Sequence, residues 1–313
     1  MRLIFLGTPV FAVPTLECIV ASGHSVLSVV TQPDRPCGRG QIPAPPPVKQ
    51  AALRLGLPVY QPEKIRRPES VDFLRGLPVD AMVVVGYGQI IPQSIIDLAP
   101  LGIINVHGSL LPKYRGAGPI QWAILNGETR TGVTTMRIDA GLDTGDMLLK
   151  AETEIGPEEN AVELGRRLSA MGADLLADTL AGLAEARIVA EKQDNSQATY
   201  APLLKKEDGR IDWSRDAQAI HNQVRGLQPW PGAYTNFRGH PLHVWKSRLW
   251  GGAVAGIEGP GLLVNLKPPV VSCGSGCLEL LEVQLEGRKR IPAADFANGQ
   301  RLTENEILGE PRT

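Results

Sequence analysis

The sequence has few cysteines, no long hydrophobic run and almost no net charge. It offers neither a disulfide framework nor paired C-x-x-C zinc motifs, because its four cysteines are Cys18, Cys37, Cys273 and Cys277. No apolar run is long enough to span a bilayer, and no basic-then-apolar leader with a cleavage site begins the chain. A net charge of −1 argues against a surface that binds nucleic acid over most of its area. We therefore expect a globular protein of the reducing cytoplasm.

The 313 residues, 43% of them hydrophobic, are enough for two domains and a sizeable core. Strand and helix patterns alternate in the first part of the chain, where apolar runs predict strands at residues 2–6, 25–31, 81–85 and 103–106. Residues 132–138 and 146–154 predict a β-pair, and residues 158–186 predict a long amphipathic helix. This order predicts an α/β domain with a doubly wound, mostly parallel, Rossmann-like sheet over residues 1–191.

The pattern changes after residue 191. Residues 192–206 are polar and irregular and predict a linker. A short helix pattern at residues 216–226 is followed by strand-like runs among many glycines and prolines, at residues 233–237, 242–245, 262–266 and 278–284. Residues 207–313 therefore predict a small OB-like β-barrel domain.

The most informative stretch is N-V-H-G-S-L-L-P at residues 105–112, at the end of an apolar run. If that run is a strand, Asn105 and His107 share one face, because successive side chains alternate. A carboxamide can donate to a developing oxyanion, and an imidazole beside it can move a proton. Asp143 follows in a tight loop between Gly141 and Gly145. An Asn, a His and an Asp together indicate acyl or formyl transfer without a covalent intermediate.

Each of these residues also has an ordinary interpretation. An Asn at a strand end often caps a turn, a single His is more often a satisfied polar residue, and an Asp in such a loop usually bonds its own backbone. The turn G-T-P at residues 7–9 lacks the G-x-G-x-x-G fingerprint, so a dinucleotide site has little support.

Longer motifs carry a family resemblance. The motif N-V-H-G-S-L-L-P at residues 105–112 is followed by Y-R-G-A-G-P-I at residues 114–120 and G-L-D-T-G-D at residues 141–146. Others are G-T-P-x-F-A at 7–12, T-Q-P-D-R-P-x-G-R-G at 31–40, V-V-G-Y-G at 84–88, I-D-W at 211–213 and V-R-G-L-Q-P-W-P-G-A at 224–233. Together they resemble the folate-dependent formyltransferases. The chain departs from the family at Gln41 and Ile42, where two basic residues are usual, at residues 267–269 and in the last dozen residues.

The resemblance implies 10-formyltetrahydrofolate as the formyl donor and no metal. It implies that Asn105 donates to the oxyanion, that His107 donates to the same oxygen or passes a proton to the leaving folate nitrogen, and that Asp143 holds His107. It also implies a pterin pocket, formed by Tyr87, Gln89, Ile90, Ser109, Leu110, Leu111 and Pro112.

The acceptor is the remaining question. The I-D-W and R-G-L-Q-P-W-P-G motifs favour the branch of the family that formylates initiator Met-tRNA, with the protein expected to be a monomer. A sugar nucleotide or other small amine as acceptor, hydrolysis of the donor, and a non-enzymatic nucleic-acid-binding protein are the alternatives. For tRNA we expect a phosphate track, although each member taken alone has the pattern of an ordinary surface charge: Arg39, Lys205, Lys206, Arg210, Lys246 and Arg248.

Overall fold

The computed structural model describes residues 1–37, 42–252, 259–303 and 306–309. Contacts divide the chain into two compact units. The first comprises Met1–Pro119, Thr131–Glu154 and Gly165–Ala201, and the second comprises Ile120–Arg130, Ile155–Leu164 and Pro202–Thr313. Two short segments of the N-terminal half thus group with the C-terminal part of the chain.

Most strands of the first half belong to one seven-stranded sheet. In chain order the strands are β1 (Arg2–Gly7), β2 (Ser25–Val30), β3 (Arg35–Cys37), β4 (Ile42–Ala44), β5 (Val59–Tyr60), β6 (Ala81–Val85), β7 (Ile103–His107), β8 (Arg115–Gly116), β9 (Arg130–Arg137), β10 (Met147–Glu154) and β11 (Tyr200–Ala201). The sheet has the order β10-β9-β7-β6-β1-β2-β5, while β3 pairs with β4 and β8 pairs in parallel with β11. The residues of β6 and β7 are all buried, as their continuous apolar runs predict for strands inside a parallel sheet.

The neighbours of β7 set the character of the sheet. This strand is parallel to β6 and antiparallel to β9. The strands from β7 through β6, β1 and β2 to β5 are all parallel, so the predicted doubly wound, mostly parallel sheet is confirmed. Residues 32–49, which are rich in proline, carry β3 and β4 and the first turn of a helix.

The helices of this half are α1 (Val13–Ala21), α2 (Pro47–Arg54), α3 (Pro68–Arg75), α4 (Gln93–Ile96), α5 (Pro119–Leu125) and α6 (Ala161–Ala184). Proline stands at one of the first two positions of α1, α2 and α3, where its missing N–H is not needed. The predicted long helix begins at Ala161 because Asn160 and Glu163 form a reciprocal cap, each side chain accepting from the other's backbone N–H. No helix within the described ranges is long and apolar enough to cross a membrane.

The C-terminal part is antiparallel, which confirms the predicted β domain. Its strands are β12 (Ala233–Phe237), β13 (His240–Leu249), β14 (Leu263–Leu266), β15 (Pro269–Ser272), β16 (Cys277–Leu285) and β17 (Ile291–Pro292). They form one sheet in the order β12-β13-β16-β15-β14, with β17 also beside β16. The helices are α7 (Ala217–Gly226), capped by the Asp216 carboxylate, and α8 (Ala293–Gln300). The unusual residues Lys267 and Pro268 form the turn between β14 and β15 and therefore leave the sheet intact.

The core of the second unit should be sensitive to truncation. Phe237 is 2% exposed and packs edge-to-face on Phe296, with ring centroids 5.0 Å apart. Phe237→Ala should cost about 3–5 kcal/mol of stability, since it leaves a cavity in this core. All five tryptophans lie in the second unit, so urea unfolding followed by tryptophan fluorescence reports on it. Leu203→Ala is the control, because Leu203 is 73% exposed. Equal midpoints for the two variants would contradict the assigned core.

Candidate active site

Strand β7 presents two polar side chains on one face at its carboxyl end. Asn105 pairs with Val84 of β6, and His107 pairs with Thr134 of β9. Asn105 is 9% exposed and His107 is 5% exposed. The Asn105 carboxamide makes no hydrogen bond with any residue in the described part of the chain. The carboxamide is therefore available to bond a ligand at the carboxyl end of β7.

Both nitrogens of the His107 ring face an acceptor. Nε2 lies 2.9 Å from the backbone oxygen of Tyr114, and Nδ1 lies 3.7 Å from Oδ2 of Asp143. A carbonyl oxygen can only accept, so Nε2 must carry a hydrogen and donate it. The separation at Nδ1 is longer than a direct hydrogen bond but within ion-pair range. Nδ1 is therefore the ring nitrogen that faces the Asp143 carboxylate.

Two aspartates of the loop after β9, Asp139 and Asp143, have different partners. Asp139 bonds its own loop, since its Oδ1 accepts from the Gly141 N–H at 3.0 Å and from Thr144 Oγ1 at 2.8 Å. Asp143 instead accepts from the Gly116 N–H at 2.8 Å through Oδ2, the oxygen that faces His107. The ordinary interpretation of an Asp in such a loop thus applies to Asp139. The structure brings His107 and Asp143 together, with Asn105 two residues before His107 on the same strand face.

Sequence reasoning missed three groups that hold this pair. They are the carbonyl of Tyr114, the N–H of Gly116 and the side chain of Gln193, which donates to the Asp143 carbonyl at 2.8 Å. The first two are backbone groups, for which residue type gives no signal. Gln193 lies in a polar stretch without periodicity, so only the folded structure identifies it.

The loop after β6 carries three of the residues expected in the pterin pocket. The Tyr87 ring is 2% exposed within the core of the first unit, and this burial, with a smaller effect of Tyr60, raises the pKa of its phenol. Gln89 holds the loop in place, since its Oε1 accepts from the Ile65 N–H at 2.8 Å. Ile90 is 91% exposed. Of the three side chains, Ile90 is therefore the most exposed.

The loop after β7 carries the other four. Ser109 is fully buried and donates to a carbonyl of its own loop at 2.6 Å. Leu111 is 1% exposed and packs with buried methionines of β9 and β10. Leu110 and Pro112 are half-buried. Ser109 and Leu111 shape the loop from inside, while Leu110 and Pro112 retain accessible surface.

The turns after β1 and β6 contact each other at the crevice where the strand order reverses. Thr8 Oγ1 donates to the Tyr87 carbonyl at 2.9 Å. A Cβ on Gly86 would lie 2.9 Å from Cγ of Pro9, so the two turns are in close contact. Sheets of this kind usually bind nucleotides at that crevice. Here the polar groups cluster one strand further along, at the end of β7.

The basic residues expected to contact tRNA have different surroundings. Arg39 lies outside the described residues. Lys246 and Arg248 lie two apart on β13, but Arg248 is bound at 2.7 Å to Glu279, whose side chain is 6% exposed. Lys246 and Arg248 are thus neighbours on one strand. The other three residues are exposed and precede the antiparallel sheet of the second unit in the chain: Lys205, Lys206 and Arg210.

A cavity of about 380 Å³ in the second unit is lined by both charge signs. Lys246, Arg290, Arg225 and the buried His221 contribute to it, together with several glutamates. The mixture of signs argues against a dedicated phosphate pocket. Within the described ranges, no group of three or more His, Cys, Asp or Glu side chains could hold a metal ion.

Comparison with known families agrees with this geometry. A formyl transferase family model matches residues 1–180, and the model of the formyl transferase C-terminal domain matches residues 203–301. The chain therefore belongs to the formyl transferase family.

Individual members of the family are similar to this chain over almost its whole length. The methionyl-tRNA formyltransferase of Solibacter usitatus is 74% identical over 310 residues, covering 99% of each chain. That of Citrifermentans bemidjiense is 53% identical, covering 99% of this chain and 97% of the relative. An N-formyltransferase of Helicobacter canadensis, solved with folinic acid and dTDP-3-aminofucose, has a TM-score of 0.66 at 19% identity, covering 90% of this chain and 98% of that one. The last comparison shows a shared fold alone.

The buried His221 predicts acid sensitivity of the second unit. Its Nε2 donates to the Pro157 carbonyl at 3.2 Å, and its Nδ1 lies 3.1 Å from Ser247 Oγ. Burial lowers the pKa of His221, although the Pro157 carbonyl and Glu158 oppose this effect. The unfolded chain therefore binds a proton at a higher pH than the folded chain, so stability should fall as pH decreases below about 6.5.

His221→Gln should remove part of that decrease. The measurement is the urea midpoint by tryptophan fluorescence between about pH 5 and pH 8, where histidine titrates. His240→Gln is the matched control, since His240 is exposed. If His221→Gln and wild type lose stability in parallel on acidification, another group causes the effect.

Proposed function

We propose that this protein transfers the formyl group of 10-formyltetrahydrofolate to the α-amino group of methionine on initiator tRNA. The observation that carries the proposal is the open Asn105 carboxamide two residues before His107, which faces Asp143 at 3.7 Å. Relatives 74% and 53% identical, named methionyl-tRNA formyltransferases, support the choice of acceptor. That the protein is cytoplasmic and monomeric stays a prediction.

The reaction needs a donor to an oxyanion and a carrier for one proton. The α-amine attacks the formyl carbon, a C–N bond forms, and a tetrahedral intermediate carries the negative charge on the former carbonyl oxygen. The bond to the folate nitrogen then breaks, and that nitrogen takes a proton. Asn105 is proposed to donate to the oxyanion through its unpaired N–H groups, an interaction whose loss typically slows such reactions about 10²–10³-fold.

The hydrogen bond at His107 Nε2 restricts where the proton moves. Since Nε2 is held by the Tyr114 carbonyl, Nδ1 is the ring nitrogen that can exchange a proton. Asp143 uses Oδ2 for the Gly116 N–H, so Oδ1 remains open within the described part of the molecule. The proton released by the attacking amine is therefore proposed to reach His107 Nδ1 or Asp143 Oδ1. Protonated His107 also places a positive charge beside the oxyanion.

The folate is proposed to lie against the loops that follow β6 and β7. These strands are neighbours, so residues 86–90 and 109–112 leave the sheet at adjacent positions. Exposed Ile90 and half-buried Leu110 and Pro112 would contact the ring system. Tyr87, Gln89, Ser109 and Leu111 would support it by fixing the two loops.

A formyl-transfer assay with parallel acceptors tests the function. Purified protein and 10-formyltetrahydrofolate are incubated with charged initiator tRNA, with uncharged initiator tRNA, with a nucleotide-linked amino sugar and with no acceptor. Formylation of charged tRNA alone is the expected result. Transfer only to the amino sugar, or release of formate at the same rate without an acceptor, would reject the proposed acceptor.

Substitution of Asn105 should affect the transition state rather than binding. Asn105→Ala should lower kcat by about 10²–10³-fold with KM for both substrates nearly unchanged, since the lost donor acts on a charge that exists only during the reaction. Asn105→Asp, which is similar in shape but cannot donate when ionised, should be at least as slow. A kcat close to wild type in Asn105→Asp would remove this residue from the mechanism.

Two neighbouring cations of β13 should respond differently to truncation. Lys246 is exposed and makes no ion pair within the described residues, so Lys246→Ala should weaken Met-tRNA binding and reduce the salt slope by about 1. Arg248→Ala should instead lower the urea midpoint, because it leaves the carboxylate of Glu279 buried without its partner. An unchanged salt slope for Lys246→Ala would show that Lys246 does not contact phosphate.

A further inference from the structure

One tripeptide, Tyr114–Arg115–Gly116, supplies contacts to both members of the His107–Asp143 pair. The Tyr114 carbonyl accepts from His107 at 2.9 Å, and the Gly116 N–H donates to Asp143 at 2.8 Å. The orientation of the pair therefore depends on how this tripeptide sits relative to the loop that carries Asp143.

The side chain of Gln193 connects these two segments. Its Nε2 donates to the carbonyls of Asp143 and Gly145, both at 2.8 Å. Its Oε1 accepts from Nε and Nη2 of Arg115, at 3.0 and 2.8 Å. One carboxamide thus uses both ends, the donor end for the Asp143 loop and the acceptor end for the tripeptide.

The surroundings fix which way the amide points. Two carbonyl oxygens require the NH₂ group on one side, and a guanidinium requires the oxygen on the other. Arg115 is 2% exposed, and within the described residues its guanidinium bonds only to the neutral amides of Gln193 and Asn195. A buried cation without a carboxylate partner is costly, so stability alone gives little reason for this arrangement.

The backbone on both sides of the connection is in an unfavourable conformation. Tyr114 has a φ of 61° and Asp143 has a φ of 51°, in the left-handed region that residues with a side chain rarely adopt. Such residues persist only where surrounding contacts hold them. Gln193 bonds the carbonyl of Asp143 itself, and Thr199 Oγ1 accepts from the Tyr114 N–H at 2.9 Å.

We propose that Gln193 is a positioning residue for formyl transfer, which sets the direction of the Asp143 carboxylate toward His107 by bonding the Asp143 loop to Arg115. The inference rests on the proposed function. Gln193 lies in residues 192–206, the polar stretch that predicts a linker, but residues up to Ala201 group with the first unit. This stretch therefore contributes to the site in addition to connecting the two halves of the chain.

Gln193→Glu separates positioning from packing. A glutamate keeps the acceptor for Arg115 and the length of the side chain. It loses the N–H donor, so a carboxylate oxygen faces the carbonyl oxygens of Asp143 and Gly145 and repels them. The matched control is Gln197→Glu, the same substitution in the same segment, at an exposed glutamine whose side chain bonds only the Asp194 carboxylate.

Gln193→Glu should lower kcat for Met-tRNA formylation by about 10- to 100-fold, since a misplacement of about 1 Å has effects of this size. KM for either substrate should change by less than about threefold, as expected when ground-state binding is intact. In an Asp143→Asn background the same substitution should cost less than about threefold, because residues that act as one unit are not additive. Gln197→Glu should retain wild-type kcat.

Hydrogen exchange provides a readout that does not need activity. Exchange at residues 139–146 should rise at least about 10-fold in Gln193→Glu, as for a loop that opens locally, while exchange in β1 stays at the wild-type rate and shows that the first unit is folded. If β1 also loses protection, Gln193→Met, which keeps the chain length but neither hydrogen bond, replaces it.

Three outcomes would overturn the inference. They are a wild-type kcat in the folded variant, an undiminished effect in the Asp143→Asn background, and unchanged exchange at residues 139–146. A wild-type protein that formylates no amine would instead reject the proposed function, and the inference with it.

Discussion

The hydrogen bond from His107 Nε2 to the Tyr114 carbonyl is the constraint on which the rest of the site depends. It fixes one hydrogen of the ring and leaves Nδ1 as the nitrogen that faces Asp143. The loop after β9 supplies the partner of that atom. Within this loop Asp139 accepts from the backbone N–H of Gly141, so Asp143 remains available to face His107. Without the Tyr114 carbonyl the ring could rotate or change tautomer, and the carboxylate would have no fixed nitrogen to face.

The fold brings these groups together through its sheet order. The turns after β1 and β6 contact each other at the crevice where a nucleotide would bind in a related sheet. The open polar groups lie at the end of β7, where a parallel neighbour and an antiparallel neighbour meet. The second unit is organised differently. Its buried charged groups, such as Glu279 and Arg225, bond partners within the unit, and a few lysines remain exposed.

Much of this could be predicted from the sequence because it depends on local patterns. Continuous apolar runs identify β6 and β7, and the period-two spacing of Asn105 and His107 places both on one face. The contacts of Asp143 could not be predicted, because they join residues far apart in sequence and use the backbone of Tyr114 and Gly116. The short strand β15 and the helix α8 were also missed, since their few residues carry too little periodicity to distinguish helix from strand from loop.

The antiparallel direction of β9 also determines which part of the chain carries the Asp143 carboxylate. Arg137, the last residue of β9, pairs with Ile104 of β7, so the loop at residues 138–146 leaves the sheet three residues before His107. Asp143 nevertheless lies 3.7 Å from His107, so this loop turns back toward the carboxyl end of β7. The carboxylate therefore stands on a loop whose position depends on contacts outside the seven-stranded sheet, with Gly116 and Gln193.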